Sequence, residues 1–329
     1  MERNTGNGVS IDEQALRNAL GEVAGDRLQT VKVAGDTATV MLEVGGLERL
    51  DRGKLEMAVR DAARKAGVGD LRLGMTAERK SRVIIAVGSG KGGVGKSTLS
   101  ANLAVAMHRL GRKVGLVDAD IYGPSQPRLL LTEGRKPEAE DNKIHPIPSP
   151  YGVPMLSMGH LVQPGQAIAW RGPMAGNALG QLIDAHWSDT EIIVVDLPPG
   201  TGDVQLTMLS KHKPAGAVIV STPQDLALMD ATRAIGLFEQ GKVPIIGMVE
   251  NMAGYICPHC GEESDPFGVG GAEAAAKTMG LPFLGRVPLD MAIRRESDAG
   301  NPPAAGDSPQ AEAFLSIARS VLAWLDGKR

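Results

Sequence analysis

Residues 90–98 read Gly90-Lys91-Gly92-Gly93-Val94-Gly95-Lys96-Ser97-Thr98. The stretch fits G-x-x-x-x-G-K-[ST], a loop whose backbone amides cradle phosphates. Its flanks match. A continuous apolar run, Val83–Val87, precedes it, and Ser97–Leu110 follows with Leu99, Leu103, Met107 and Leu110 on one helical stripe. Strand, glycine loop and helix in that order put the loop at a helix N-terminus, where the partial positive charge favours an anion. Glycines let the backbone fold closely round phosphates and turn its N–H groups inward. Residues 90–98 are thus expected to bind ATP, with Lys96 reaching the β- and γ-phosphates and the Ser97 hydroxyl ligating Mg2+. Lys91 is a second lysine in the loop. It is either a solvated charge or a cation that stabilises the transferring phosphoryl group, as an arginine finger does.

Outward from the loop, similar short apolar runs recur at Val114–Val117, Ile192–Val195, Ala217–Val220, Ile245–Val249 and Phe283–Val287. Runs of this kind are strands covered on both faces. Helical segments lie between most of them, which predicts a doubly wound, mostly parallel α/β domain over residues 83–329. Residues 132–160 are richer in proline and charge and are expected to be loops with short strands. Gln310–Leu325 is amphipathic, with Phe314, Ile317, Val321, Leu322 and Leu325 on one side. Its polar face lacks the Lys/Arg enrichment of a membrane-surface helix, so it is expected to pack on the sheet.

Residues 1–75 look like a separate small α/β unit. Ile11–Val23 has helical spacing, with Leu16, Leu20 and Val23 on one face. Gln29–Val33 and Thr37–Val44 read as strands joined by a hairpin-type turn at Ala34-Gly35-Asp36. Leu55–Ala66 reads as a second helix ended by Gly67, and Leu71–Met75 as a third strand. Residues 76–82, with Glu78, Arg79 and Lys80, have no apolar pattern and read as a linker.

Three acids follow strands of the large domain. Asp118 and Asp120 sit where Val114–Val117 runs out, and Asp196 ends Ile192–Val195, ahead of Pro198-Pro199-Gly200-Thr201-Gly202-Asp203. Ligands of open α/β sheets bind at the carboxyl ends of the strands, the same side as the glycine loop. One such acid alone would read as a helix cap. Asp196 suits a role in holding Mg2+ through water, and Asp118 or Asp120 a role in orienting the attacking water.

The chain has 329 residues and a net charge of -3, from 35 basic and 38 acidic side chains. That balance counts against a global basic field for nucleic acid and gives no strong attraction to an anionic membrane. No apolar run approaches the ~20 residues of a membrane span, and Met1–Ser10 is too polar for a signal peptide. A cytoplasmic address is the expectation. Only two cysteines occur, in Cys257-Pro258-His259-Cys260, which excludes a disulfide framework. Two thiolates make half of a tetrahedral sulfur site, and a symmetric dimer can bring two halves together. A redox dithiol, a zinc half-site and a pair without chemistry fit the same spacing.

Together these motifs resemble the Mrp/ApbC family of iron–sulfur cluster carrier ATPases. That family belongs to the deviant Walker A group, with the cell-division ATPase MinD, the partition ATPase ParA and the nitrogenase iron protein. The resemblance covers about Val83 to Leu325. It rests on the loop at 90–98, Asp-Ala-Asp-Ile-Tyr-Gly-Pro-Ser at 118–125, Trp170-Arg171-Gly172-Pro173, Asp-Leu-Pro-Pro-Gly-Thr-Gly-Asp at 196–203, Glu250-Asn251-Met252 and the cysteine pair. It implies a Mg2+-dependent homodimer that converts ATP and water to ADP and phosphate. Lys91 matches the signature lysine that contacts the partner subunit's nucleotide. Asn251 matches the residue that hydrogen-bonds adenine, and Val287-Pro288-Leu289 is similar to the wall of that pocket. Asp120 matches the acid associated with hydrolysis, and Asp118 its neighbour near Mg2+. Cys257 and Cys260 match the pair that holds a [4Fe–4S] cluster between two subunits for delivery to apo-proteins. No nucleic-acid or membrane partner is implied. The small unit resembles the domain often fused to such carriers, but it lacks the expected Asp-Pro-Glu near its first helix and contains no cysteine. The competing readings are a positioning ATPase of the MinD/ParA type and a zinc-stapled regulatory ATPase.

Overall fold

The apolar runs of the sequence become neighbouring strands in a computed structural model, which describes residues 12–45, 47, 49–76, 82–140, 143–161 and 172–328. The chain divides between residues 81 and 82 into two compact units.

The small unit is built from α1 (Glu13–Ala24), β1 (Leu28–Ala34), β2 (Thr37–Glu43), α2 (Arg49–Lys65) and β3 (Asp70–Thr76). Asp12 caps α1 by accepting the Gln14 amide. β1 pairs antiparallel with β2, and β2 parallel with β3. Leu16, Leu20, Val31, Val40, Leu42 and Val59 form its core. The buried face of α1 continues to Ala24, while Val23 is exposed. At 100° per residue a stripe through positions 16 and 20 extends to 24, one position past the expected one. α2 starts six residues before the expected Leu55. That added stretch, Arg49 to Lys54, has only the exposed Leu50 as an apolar residue and so shows no periodicity. β3 runs through Thr76, taking a residue read as linker; residues 77–81 lie outside the described residues.

The large unit begins with β4 (Val83–Gly88), α3 (Lys96–Arg109), β5 (Val114–Asp118) and the single turn α4 (Gln126–Leu129). A small ladder, β6 (Ala139–Glu140) with β7 (Lys143–Ile144), leads to β8 (Met155–Ser157). Then come α5 (Gly172–Ile183), β9 (Ile192–Asp196), α6 (Asp203–Thr207), β10 (Gly216–Ser221) and α7 (Asp225–Gln240). β11 (Ile245–Asn251), the hairpin β12 (Tyr255–Ile256) and β13 (Glu263–Ser264), α8 (Gly271–Thr278) and β14 (Phe283–Val287) follow. α9 (Met291–Asp298) and α10 (Pro309–Asp326) close the unit.

The large sheet has seven strands in the order β14-β11-β10-β4-β9-β5-β8. Every neighbouring pair in it is parallel. Alternate residues of each strand serve opposite faces. Ile85, Val87, Leu116, Val194 and Val218 pack with α3 and α10. Ala86, Val117, Val195 and Ile219 pack with α5 and α7. The edge strand β8 sits in the region expected to hold short strands; with three residues it is too short for a periodic signal. The apolar face of α10 (Phe314, Ile317, Val321, Leu322 and Leu325) is buried in the core and so is spent on the sheet. No helix among the described residues is long and apolar enough to cross a membrane.

This topology fixes where the polar residues meet. β4, β9 and β5 lie side by side, with Val87 opposite Asp196 and Asp196 opposite Asp118. Their carboxyl ends therefore carry the glycine loop and two of the acids to one corner.

Candidate functional site

The glycine loop is held by close backbone packing. A Cβ on Gly90 would stand 2.0 Å from the Asp230 backbone of α7, so only glycine fits there. Gly95, at φ +81°, is the N-cap of α3, and a Cβ on it would stand 2.0 Å from Nδ2 of Asn251. Asn251 uses that room: its Nδ2 donates to the Val94 carbonyl at 2.8 Å. The adenine candidate from the end of β11 thus touches the phosphate loop directly.

Lys96 is buried, and its ammonium donates to Oδ1 of Asp196 at 2.6 Å. The same carboxylate accepts Ser100 Oγ at 3.0 Å on Oδ1 and Gln126 Nε2 at 2.8 Å on Oδ2. Gln126 Nε2 also donates to the Ser97 carbonyl at 2.9 Å. Asp118, fully buried, accepts the Asp120 amide on Oδ1 at 3.1 Å. Its Oδ2 accepts the Gln126 amide at 3.1 Å and Ser157 Oγ at 3.0 Å. Burial, and then the nearby Asp196 charge, push the Asp118 carboxyl up to about 8, against the opposing pull of those backbone amides and of Lys96. Asp120 accepts the Tyr122 and Gly123 amides on Oδ1 at 3.0 and 3.2 Å.

The corner therefore unites Lys96, Ser97, Asp118, Asp120 and Asp196. Its cation-binding donors are oxygens, from a hydroxyl and carboxylates, and such hard ligands suit Mg2+. The short Lys96 contact shows that Asp196 already attracts a cation. Lys91 differs from Lys96. It is half-buried, its carbonyl accepts Ser89 Oγ at 3.0 Å, and its ammonium has no partner among the described residues. Gly92 and Gly93 are exposed, and Thr98 is half-buried in the first turn of α3. Gln126, Ser100 and Ser157 escaped the sequence reading. Gln126 is the residue directly after the motif at 118–125, and Ser100 lies one turn after Lys96; those positions were the available signals.

The cysteines lie elsewhere, at the tip of the β12–β13 hairpin. The Cys257 amide donates to Glu262 O at 2.9 Å, and the Gly261 amide to Cys257 O at 2.8 Å. Gly261 supplies the turn with φ +73°. Cys257 is half-buried and Cys260 exposed. Hydrogen bonds from the Cys260 and His259 amides hold the Cys257 thiol below its ordinary pKa. Among the described residues, no group of three or more His, Cys, Asp or Glu side chains is arranged to hold a metal. Trp170 and Arg171 lie outside the described residues. Val287 ends β14 and accepts the Ala253 amide at 3.1 Å, and Leu289 donates to Gly254 O at 2.9 Å.

A family model described as ParA, NUBPL iron-transfer P-loop NTPase, matches residues 80–322. The chain belongs to this family of P-loop NTPases. An iron–sulfur cluster carrier protein of Haemophilus influenzae is 41% identical over 314 residues, covering 89% of this chain and 84% of its own. That match is longer than the large unit, so it extends into the small one. An iron–sulfur protein required for NADH dehydrogenase in Arabidopsis thaliana mitochondria is 47% identical, covering 73% of this chain and 77% of its own. Among solved structures, a nucleotide-binding protein of Archaeoglobus fulgidus in complex with ADP superposes with a TM-score of 0.62. It is 37% identical and covers 72% of this chain and 93% of its own. The cell-division ATPase MinD of Pyrococcus furiosus has a TM-score of 0.55 at 25% identity, over 74% of this chain and 99% of its own. The doubly wound α/β fold expected from the sequence is the fold of these P-loop NTPases.

Proposed function

We propose that this chain is a cytoplasmic, homodimeric ATPase that carries a [4Fe–4S] cluster between its two copies and delivers it to apo-proteins. The observation that carries the reading is the hairpin. Two accessible thiols stand together with no third ligand group among the described residues, so a four-thiolate site needs a second chain. Membership of the iron-transfer family supports it.

In this reading the glycine-loop amides and Lys96 bind the phosphates of ATP, and Asn251 hydrogen-bonds the adenine. Lys96 would leave Asp196 to do so. Ser97, and Asp196 through water, would then hold Mg2+, which supplies charge neutralisation at the β- and γ-phosphates. Asp120 orients the attacking water, and Asp118 stands beside it as a buried neighbour. Lys91, whose ammonium has no partner among the described residues, reaches the nucleotide of the other copy and stabilises charge on the transferring phosphoryl group. Hydrolysis removes the γ-phosphate contacts and loosens the dimer that holds the cluster.

Anaerobic reconstitution tests the proposal. Wild type should turn brown and hold four irons for each pair of chains, as a [4Fe–4S] cluster requires, and Cys257→Ala/Cys260→Ala should hold none. Equal iron in both sinks the carrier reading, and a colourless wild type with bound zinc supports the zinc-stapled reading instead. A positioning ATPase needs a free amphipathic surface, and the apolar face of α10 is buried in the core.

A further inference from the structure

Of the motif Glu250-Asn251-Met252, the proposed function uses only Asn251. Glu250 is a fully buried carboxylate at the end of β11. Buried charges persist where they are paired and hydrogen-bonded, and its partners all belong to the far end of the cysteine loop or to the strand beside it. Its Oε1 accepts the Gly270 amide at 2.9 Å and Arg286 Nε at 3.0 Å. Its Oε2 accepts the Ala272 amide at 2.7 Å. Arg286, on β14, also contacts Glu273 in the first turn of α8.

The chain leaves β11 at Asn251, runs through residues 252–270 with the hairpin and both cysteines, and returns at Gly270. Glu250 therefore binds the loop's exit from a position two residues before the loop's entry. The fit is tight. Gly270 is left-handed at φ +84°, and a Cβ on Gly271 would stand 2.2 Å from the Pro223 carbonyl. At the entry, Met252 is left-handed at φ +61°, a conformation that non-glycine residues adopt only where their surroundings impose it. Next to Glu250, Asn251 grips the Val94 carbonyl of the phosphate loop. One short segment thus touches both the phosphate loop and the two ends of the cysteine loop.

We propose that Glu250 is a positioning residue for the cluster: by tying amides 270 and 272 to the end of β11, it fixes the cysteine loop and transmits the state of the nucleotide corner to it. The inference rests on the carrier reading above. Anchoring of the loop, however, is measurable without any cluster.

The test uses the full chain as wild type, Glu250→Gln and Arg286→Gln. The first variant keeps the side-chain shape but sets an NH2 group against donors that need an acceptor. In the apo-protein, amide hydrogen exchange over residues 252–272 should rise about tenfold in Glu250→Gln, the size expected when a buried charged anchor is weakened. Exchange in α3 should stay as in wild type. After anaerobic reconstitution, an iron chelator should strip the variant's cluster about tenfold faster, for the same reason. Wild-type stripping should differ between ATP and no nucleotide, and that difference should vanish in Glu250→Gln. Affinity for a fluorescent ADP analogue should remain within a few-fold. Arg286→Gln removes one of the bonds and should give a smaller change in the same direction, which keeps the idea testable if Glu250→Gln does not fold. Unchanged exchange over 252–272 in the folded variants overturns the anchoring. Raised exchange with unchanged cluster stripping overturns the positioning role. A wild type that takes up no iron sinks the carrier reading, and with it the cluster role of Glu250, while exchange still decides the anchor.

Discussion

The nucleotide corner and the cysteine hairpin are opposite kinds of site. In the corner, Lys96, Ser100, Asp118, Gln126 and Asp196 are buried and bond one another. At the hairpin, two thiols stand at an accessible tip, and no further ligand is gathered round them among the described residues. The first site is completed by one chain's own strands; the second presents half of what a cluster needs. The exception within the corner is Lys91, whose ammonium is unpartnered among the described residues. Lys91 and the cysteines share this incompleteness, and both are assigned here to contacts with a second copy.

The largest expected effect follows from that exception. Lys91→Ala should lower ATP hydrolysis by roughly 10³-fold, the lower end of what a cation supplied in trans contributes. ATP affinity and iron content should stay close to wild type. Single-turnover hydrolysis beside equilibrium titration checks this. A parallel loss of ATP affinity would make Lys91 part of the corner's own cradle and erase the distinction from Lys96.

Gly95→Ala comes next. An L-residue in the left-handed region costs roughly 1–2 kcal/mol, and the new Cβ would displace the Asn251 amide, a bond worth about 1 kcal/mol. Nucleotide affinity should therefore fall roughly 100-fold, at 1.4 kcal/mol for each factor of ten. Iron content after reconstitution should not change. If iron content itself fell together with affinity, the corner would be needed to take up the cluster and not only to set how fast it is lost, and the contrast between a self-contained corner and a half-site would be wrong.

The same contrast explains what could be read in advance. The phosphate loop is contiguous, and its strands are covered on both faces, so they stand out as unbroken apolar runs such as Val83–Val87 and Ile192–Val195. Asp118 and Asp196 were visible because each ends such a run. Gln126, Ser100 and Ser157 come from separate segments and meet only after β5, β8 and β9 align, so their places beside known motifs hint at them but no local pattern shows that they meet. The cysteine spacing was plain, but what anchors the loop was not. Glu250 meets Gly270 and Ala272 twenty or more residues away, through a loop without periodicity. The first turns of α2 were missed for a simpler reason: they are too polar to show a period, while β8 lies where short strands were expected and is too short for its bounds to show.

A smaller effect should come from the hairpin itself. Gly261 adopts φ +73° with open space around its Cβ position, so Gly261→Ala tests backbone strain alone. At roughly 1–2 kcal/mol, the cluster should be lost to a chelator about tenfold faster. ATP binding and hydrolysis should be unaffected. A change in hydrolysis would mean that the hairpin reports back to the corner.

The smallest effect concerns acid, and it should act on one edge of the sheet. His160 follows β8, whose Ser157 bonds Asp118 in the corner. Its Nε2 lies 3.2 Å from Thr132 Oγ1, and its buried Nδ1 has no partner among the described residues. Burial lowers its pKa from 6.5 to about 4, although a hydrogen bond to the Thr132 backbone pulls the other way. Between those values the unfolded chain binds the proton and the folded one does not. The stability this group contributes is therefore complete above pH 6.5 and is lost as pH falls toward 4. Each kcal/mol lost should lower the melting temperature of a unit this size by about 2–4 °C. His212, also lowered by burial, acts in the same direction, so wild type alone cannot apportion the loss. His160→Gln keeps a neutral hydrogen-bonding side chain without the titration. Melting of the nucleotide-free protein at pH 7.5, 6 and 5 should show a shallower fall for the variant. Equal slopes would mean that His160 is as neutral in the unfolded chain as in the fold. A shallower slope would place the acid-sensitive edge at β8, across the whole sheet from the strands β11 and β14 that anchor the cysteine loop.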